Sequence, residues 1–367
     1  MYTIRDLLNV MIEAKASDLY VSLGAYPMLK ISGKTLPLEK ERITPEIINS
    51  LQKEMLNDGQ LEQFQKNQEL DFTYSLPGVG RFRVNYYKQR NSVAFVVRRI
   101  VSNIKGFEEL NLPSMLGELV LKDRGLILVV GATGSGKSTT LAAMIDYRNS
   151  HRSGHILTLE DPIEFLHSHK KSIVSQREVG EDTKSFEAAL KSALREAPSL
   201  LLIGEIRDSV TMSSALNFSE TGHLVLSTLH ATNAYQTIER IESFYAPSQH
   251  TMIRLQLSQN LLAIVAQRLV PTVDGGRRAA LEILLASGRV RDLIHKGEIE
   301  LLRHTMESST TEGMQLFDQA LFSLFKEGVI SEDVAIQYAD RPNDLRLKIM
   351  AKAEQLYKRK IELEEED

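Results

Sequence analysis

The chain has 367 residues and no cysteine. That absence excludes disulfides, zinc-thiolate sites and cysteine nucleophiles together, and it suits a reducing compartment, so the cytoplasm is the expected location. Nor is there an excess of positive charge. Lys and Arg number 44 against 48 Asp and Glu, for a formal net charge of -4. No global basic field is available to hold nucleic acid non-specifically, and nucleic acid is not an expected partner. Long apolar runs are missing as well: the stretch 126–130 and others like it fall far below the ~20 residues needed to cross a bilayer. The opening MYTIRDLLNVMIEAKASDLY carries charge within its apolar stretch and has no small-residue cleavage site, so no secretory signal is expected there. What remains is ordinary for a folded protein, 43% hydrophobic and 25% charged. The length exceeds one typical domain of ~100–200 residues, which favours two.

In the first part, Ile4, Leu7, Leu8, Met11 and Ile12 recur at three- and four-residue spacing and predict a helix over 1–19. Short strands broken by Gly24, Pro27, Gly33 and Pro37 follow over 18–38, then a helix over 44–66 after Thr44-Pro45. LDFTYSL, GRFRVNYYKQR and SVAFVVRRI alternate apolar and polar residues as antiparallel strands do. Residues 1–101 therefore read as an α+β (PAS-like) domain. The stretch 102–117 loses periodicity around Gly106 and Pro113 and reads as a linker. Over 118–367 the apolar runs 126–130, 155–159, 199–204 and 223–229 alternate with helix-like segments, one of them marked by Phe186, Ala189, Leu190, Ala193 and Leu194. Such a pattern predicts an α/β fold with a mainly parallel sheet covered on both faces. The end, 344–367, reads as a charged helix and solvated tail.

The chemistry centres on GATGSGKS at 131–138, a G-x-x-x-x-G-K-[ST] pattern set between an apolar strand and a helix. Glycines let backbone N–H groups turn toward phosphate oxygens, Lys137 reaches the outer phosphates, and Ser138 is the expected ligand of Mg2+. ATP with Mg2+ is thus the expected cofactor pair, bound by Gly131, Ala132, Thr133, Gly134, Ser135, Gly136, Lys137, Ser138 and Thr139. A chance glycine-rich turn would lack the flanking strand and helix. Hydrolysis also calls for an acidic group at a neighbouring strand tip. Glu205 follows one apolar strand; Glu160, Asp161 and Glu164 follow another, with Pro162 turning the chain. Such acids on loops are often only solvated, but strand ends beside a phosphate loop raise their claim. His230, after the fourth strand, falls at the same sheet edge and is a candidate γ-phosphate sensor, whereas His223, before that strand, reads as structural.

GATGSGKST, LTLEDPIEF, LLIGEIRD and TGHLVLSTLH, in that order, resemble the Walker A, Asp box, Walker B and His box of secretion ATPases. The N-terminal module and SIVSQREVGEDTKSFEAALKSALRE resemble the PilT/PilU twitching-motility family, on its PilU side, and the likeness covers nearly the whole chain. It implies a RecA-like ATPase domain and a homohexameric ring at the cytoplasmic, inner-membrane base of a type IV pilus, driving retraction. Glu164 would be the general base, with Glu160 left open, Glu205 the Walker B acid and His230 the His-box residue. Arg83 and Arg98 would be arginines supplied to the phosphates, a role that suits guanidinium geometry, although both also fit plain surface positions on a hairpin. Implied partners are a paralogous PilT motor and a PilC-like platform protein. One departure stands out: PilT-type enzymes carry AIRNLIRE, where this chain reads RVRDLIHK at 289–296. That change, with the acidic Glu364, Glu365, Glu366 and Asp367, suits an accessory motor. The alternative from another class is an ATP-binding regulatory or scaffold subunit with little hydrolysis.

Overall fold

Thr3 starts the fold by capping a helix. Its hydroxyl accepts from the Asp6 N–H at 3.1 Å while the Asp6 carboxylate accepts from the Thr3 N–H at 3.3 Å, closing both ends of a capping box. The computed structural model describes residues 2–31, 33–100, 103–310 and 313–352. Two compact units emerge, one of Met1–Asn103 with Ile163–Leu166, the other of Ile104–Pro162 with His167–Asp367.

In the first unit, α1 (Ile4–Glu13) buries Ile4, Leu7, Leu8 and Met11. It ends well before residue 19, because Lys15 takes φ 51° and Asp18 already opens a strand. Strands β1 (Asp18–Ser22), β2 (Met28–Ile31) and β3 (Lys34–Pro37) follow. The single helix expected over 44–66 is two, α2 (Pro45–Met55) and α3 (Asp58–Asn67). Leu56 is extended between them and Asn57 caps α3 in a box with Gln60, a local alternative that outcompetes helix continuation. Strands β4 (Glu69–Leu76), β5 (Gly80–Gln89) and β6 (Ser92–Arg99) complete an antiparallel sheet ordered β3-β2-β1-β6-β5-β4. Along β5, Phe82, Val84 and Tyr86 are buried while Arg83 and Asn85 point outward. Tyr86 stacks on Phe95 and meets the edge of Phe64, which knits sheet to helix.

The second unit begins with what reads as a linker. Residues 107–120 instead hold α4 (Phe107–Leu110) and α5 (Met115–Val120), too short to display a period. Leu112, Leu116 and Val120 are buried in one core with Ile127, Val129 and Met144. Then come β7 (Gly125–Val130), α6 (Lys137–His151), β8 (Gly154–Glu160), β9 (Ser172–Glu178), α7 (Phe186–Ala193), β10 (Leu200–Ile203), α8 (Ser209–Glu220), β11 (Leu224–Leu229), α9 (Ala234–Glu242) and α10 (His250–Asn260). A long hairpin of β12 (Leu261–Pro271) and β13 (Arg277–Leu285) precedes α11 (Gly288–Lys296), α12 (Leu302–Ser308), α13 (Phe317–Lys326) and α14 (Glu332–Tyr338). The sheet runs β13-β12-β7-β11-β10-β8-β9 and is parallel except for β13. Every residue of β7, β10 and β11 is buried, as a sheet covered on both faces requires. Ala263 and Val265 pack with Ile127, Val129 and the α6 side chains; Ile264 and Ala266 pack on the other face with Leu128, Val130 and Phe317. A bulge between Leu261 and Ala263 interrupts the pairing of β12 with β7. Residues 342–352 are helical; the acidic end, Glu364 to Asp367, lies outside the described residues.

Candidate active site

Because β7, β8, β10 and β11 are mutually parallel, their C-terminal ends open on one sheet edge, the place where such folds bind ligands. The expected residues of four separate segments arrive there. β7 delivers the loop 131–136, and α6 starts at Lys137. Gly134 and Gly136 take φ 78° and 89°, in the region that glycine tolerates best. A Cβ on Gly131 would meet the Gln267 carbonyl oxygen at 2.5 Å, and one on Gly136 would meet Gln267 Nε2 at 2.7 Å. Ala132 and Thr133 are exposed, while Ser138 and Thr139 sit half-buried in the first turn of the helix. Lys137 Nζ donates to the carbonyls of Gly131 at 2.9 Å and Ala132 at 3.0 Å, which folds the ammonium over the loop.

These residues fit a phosphate group. The loop has no side-chain bulk where backbone must approach an anion, a helix N-terminus lies behind it, and an ammonium lies across it. The hydroxyl of Ser135 is buried without a hydrogen-bond partner, a group that stands ready for a ligand oxygen.

Glu205 follows β10 and reaches His230, which follows β11: His230 Nε2 lies 3.3 Å from Glu205 Oε1. The second Glu205 oxygen accepts from Arg207 Nε at 2.9 Å and Nη2 at 2.7 Å. This contact holds the Arg207 guanidinium above its ordinary pKa. Glu160, the last residue of β8, accepts from the Thr158 hydroxyl at 2.7 Å and from Gln176 Nε2 at 3.3 Å. The other end of Gln176 accepts from the His167 N–H at 2.8 Å. Gln176 therefore ties together the two ends of the 161–166 excursion. Glu164 lies within that excursion, exposed, in the segment Ile163–Leu166 that groups with the first unit.

Arg83 and Arg98 face each other across β5 and β6 as a register pair. Both are exposed on the outer sheet face, and Arg98 Nε is held by the buried Asp18 carboxylate at 2.8 Å. His223 bonds locally instead, with Nδ1 3.1 Å from the Phe218 carbonyl oxygen and 3.2 Å from the Thr221 hydroxyl. Sequence reading passed over Arg207, Gln176 and Gln267. The last had one signal, a lone amide inside the apolar run LLAIVAQRLV.

Residues 81–305 match the family model described as type II/IV secretion system protein. The type IV pilus ATPase PilU of Pseudomonas aeruginosa is 50% identical over 344 residues, 94% of this chain and 90% of that protein. The pilus retractation ATPase PilT of the same organism is 40% identical over 93% of this chain and 99% of its own length. A crystal structure of the pilus retraction motor PilT with bound ADP superposes with a TM-score of 0.89 at 41% identity, covering 94% of this chain and 99% of that one. With a nucleotide-shaped loop and an acid and histidine converging beside it, the chain belongs to the type II/IV secretion system protein family, is an ATPase, and falls on the branch that holds PilU and PilT.

Proposed function

We propose that this protein is a hexameric motor that couples ATP hydrolysis to type IV pilus retraction and twitching motility, working beside a PilT motor and a platform protein at the inner-membrane base. The observation that supports this most is the convergence of the 131–138 loop with the Glu205–His230 pair on one sheet edge, in a chain half identical to a pilus ATPase. In this reading Lys137 leaves the loop carbonyls for the outer phosphates, and loop N–H groups hold the inner ones. Mg2+ bound through Ser138 would neutralise charge on the transferring phosphoryl group. Glu164 takes the proton of the attacking water, Glu205 orients the phosphate end of the site, and His230 reads the γ-phosphate through its contact with Glu205. Arg83 and Arg98 come onto the phosphates as the ring closes around ATP, and loss of the γ-phosphate releases them.

The RVRDLIHK helix supports an accessory role. The residues it shares with AIRNLIRE face inward: Leu293 and Ile294 are buried, and Arg291 donates to the carbonyls of Ala286, Gln259 and Leu261 at 2.8–3.0 Å. Arg289, His295 and Lys296, which replace other residues, are exposed. The fold of the helix is kept while its outer surface differs.

ATP turnover by the wild type, Lys137→Ala and Glu164→Gln, each with light scattering on a sizing column, tests the reading. Turnover lost in both variants with a hexamer retained is the expected result. Turnover persisting in Glu164→Gln would move the base to Glu160 or another acid, and none in the wild type would favour a scaffold subunit or a required partner.

A further inference from the structure

Gln267 lies on β12, 132 positions beyond the loop it touches. Its side chain is 3% exposed, in a strand whose other residues are apolar except Arg268. Both ends of the amide are used. Nε2 donates to the Ser135 carbonyl at 2.8 Å, and Oε1 accepts from the hydroxyl of Thr140, itself 1% exposed on α6, at 2.7 Å. The same residue supplies the two nearest obstacles beneath Gly131 and Gly136, its carbonyl oxygen under one and its amide nitrogen under the other. Gly131 and Gly136 are thus fitted closely against Gln267.

We infer that Gln267 is a positioning residue for the phosphate-binding loop: one amide bridges Ser135 and Thr140 and holds the loop N–H groups at the start of α6 in their anion-binding orientation. An amide is the group for this task. It must donate to a carbonyl and accept from a hydroxyl at once, in a dry place where an unpaired polar atom is costly. A carboxylate would set a negative oxygen against the Ser135 carbonyl, and an apolar side chain would leave both partners unpaired. The bridge reaches the loop from behind, so it touches no reacting atom and acts only through backbone placement.

This inference rests on the nucleotide reading of the loop, and the experiment separates the two. Affinity for a fluorescent ADP analogue would be measured for the full-length wild type, Lys137→Ala, Gln267→Met, Gln267→Glu and Thr140→Val, with nucleotide-free thermal unfolding of each. Gln267→Met should bind the probe about ten- to a hundredfold more weakly, as the loss of one or two buried hydrogen bonds implies. Thr140→Val, which cuts only the outer anchor, should weaken binding severalfold. Relative to the wild type, Gln267→Glu should recover affinity as pH falls, because a protonated carboxyl can donate to the Ser135 carbonyl; a role in general stability alone would not produce that recovery. The inference is overturned if Gln267→Met binds like the wild type while Lys137→Ala does not. Should Gln267→Met fail to fold, wild-type affinity in Thr140→Val overturns it instead. If the wild type and Lys137→Ala bind the probe equally, the nucleotide reading falls and takes the inference with it.

Discussion

His230 Nε2 sits 3.3 Å from Glu205 Oε1, joining the tips of two adjacent parallel strands. Because Arg207 occupies the other carboxylate oxygen, Glu205 is held from two sides and cannot swing freely. On the proposed role of His230 at the γ-phosphate, replacing it by Ala should lower the turnover number by about ten- to a hundredfold and leave ADP affinity within about threefold of the wild type, because such a group contributes mainly to the chemical step. Steady-state kinetics with a separate ADP titration checks this. An equal loss in ADP affinity would make His230 a binding residue instead.

The loop glycines should differ in what they tolerate. Gly134 takes φ 78° with open space around its missing Cβ, so Gly134→Ala costs only backbone strain, about 1 kcal/mol. Gly136 combines φ 89° with Gln267 Nε2 2.7 Å from where the Cβ would lie. Gly136→Ala should therefore abolish detectable ADP binding while Gly134→Ala weakens it by about tenfold or less, measured by titration.

Glu282 on β13 accepts from the Ala234 N–H at 2.8 Å, at the start of the helix that follows His230. Burial pushes its carboxyl up to about 7; Asp340 adds to the rise, while the Ala234 and Phe317 N–H groups and Arg268 oppose it. An unfolded glutamate loses its proton near 4.5. Between those values the unfolded chain has ionised and the folded one has not, so stability falls as pH rises from about 4.5 to about 7, by roughly 3 kcal/mol. Glu282→Gln keeps an acceptor for Ala234 and cannot ionise. It should be more stable than the wild type at pH 8 and nearly equal to it at pH 5, read from urea midpoints.

Arg268 ties the C-terminal helices to the sheet. Its Nη1 donates to the Tyr338 carbonyl at 2.7 Å, Nη2 pairs with Asp340 at 2.6 Å, and the guanidinium lies 3.8 Å from the Phe317 ring centroid. Arg268→Ala removes the donor to the Tyr338 carbonyl and leaves Asp340 with Arg303 alone, at 3.7 Å, and should cost about 2–4 kcal/mol. Hydrogen exchange should show α13 and α14 losing protection before the strands do.

The site was legible where its chemistry is local. The phosphate loop, Glu205 and His230 each announce themselves within a few residues of an apolar strand, and the parallel sheet then brings the strand ends together. Gln267 was not legible, because nothing near it in the chain says that its partners are Ser135 and Thr140. Residues 102–117 misled for a different reason: Gly106 and Pro113 interrupt the period, and four- and six-residue helices cannot restore it, although Leu112 and Leu116 are core. The break at Leu56–Asn57 did carry a signal, an Asn followed three residues later by Gln, which marks a fresh helix start.

The bulge at the start of β12 has a reach beyond its own turn of chain. Leu261 pairs with Leu126 and Ala263 with Ile127, so one extra residue is absorbed before the strand settles into step. Side chains alternate from there on, which sends Gln267 toward the phosphate loop and Arg268 toward Phe317 and Asp340. Were the same residues paired in step from Leu261 with no bulge, every later side chain of β12 would change faces, and Arg268 would stand on the loop side with Gln267 toward the C-terminal helices. The bulge that leaves Leu262 out of the pairing thus decides which face of the sheet receives Gln267 and which receives Arg268.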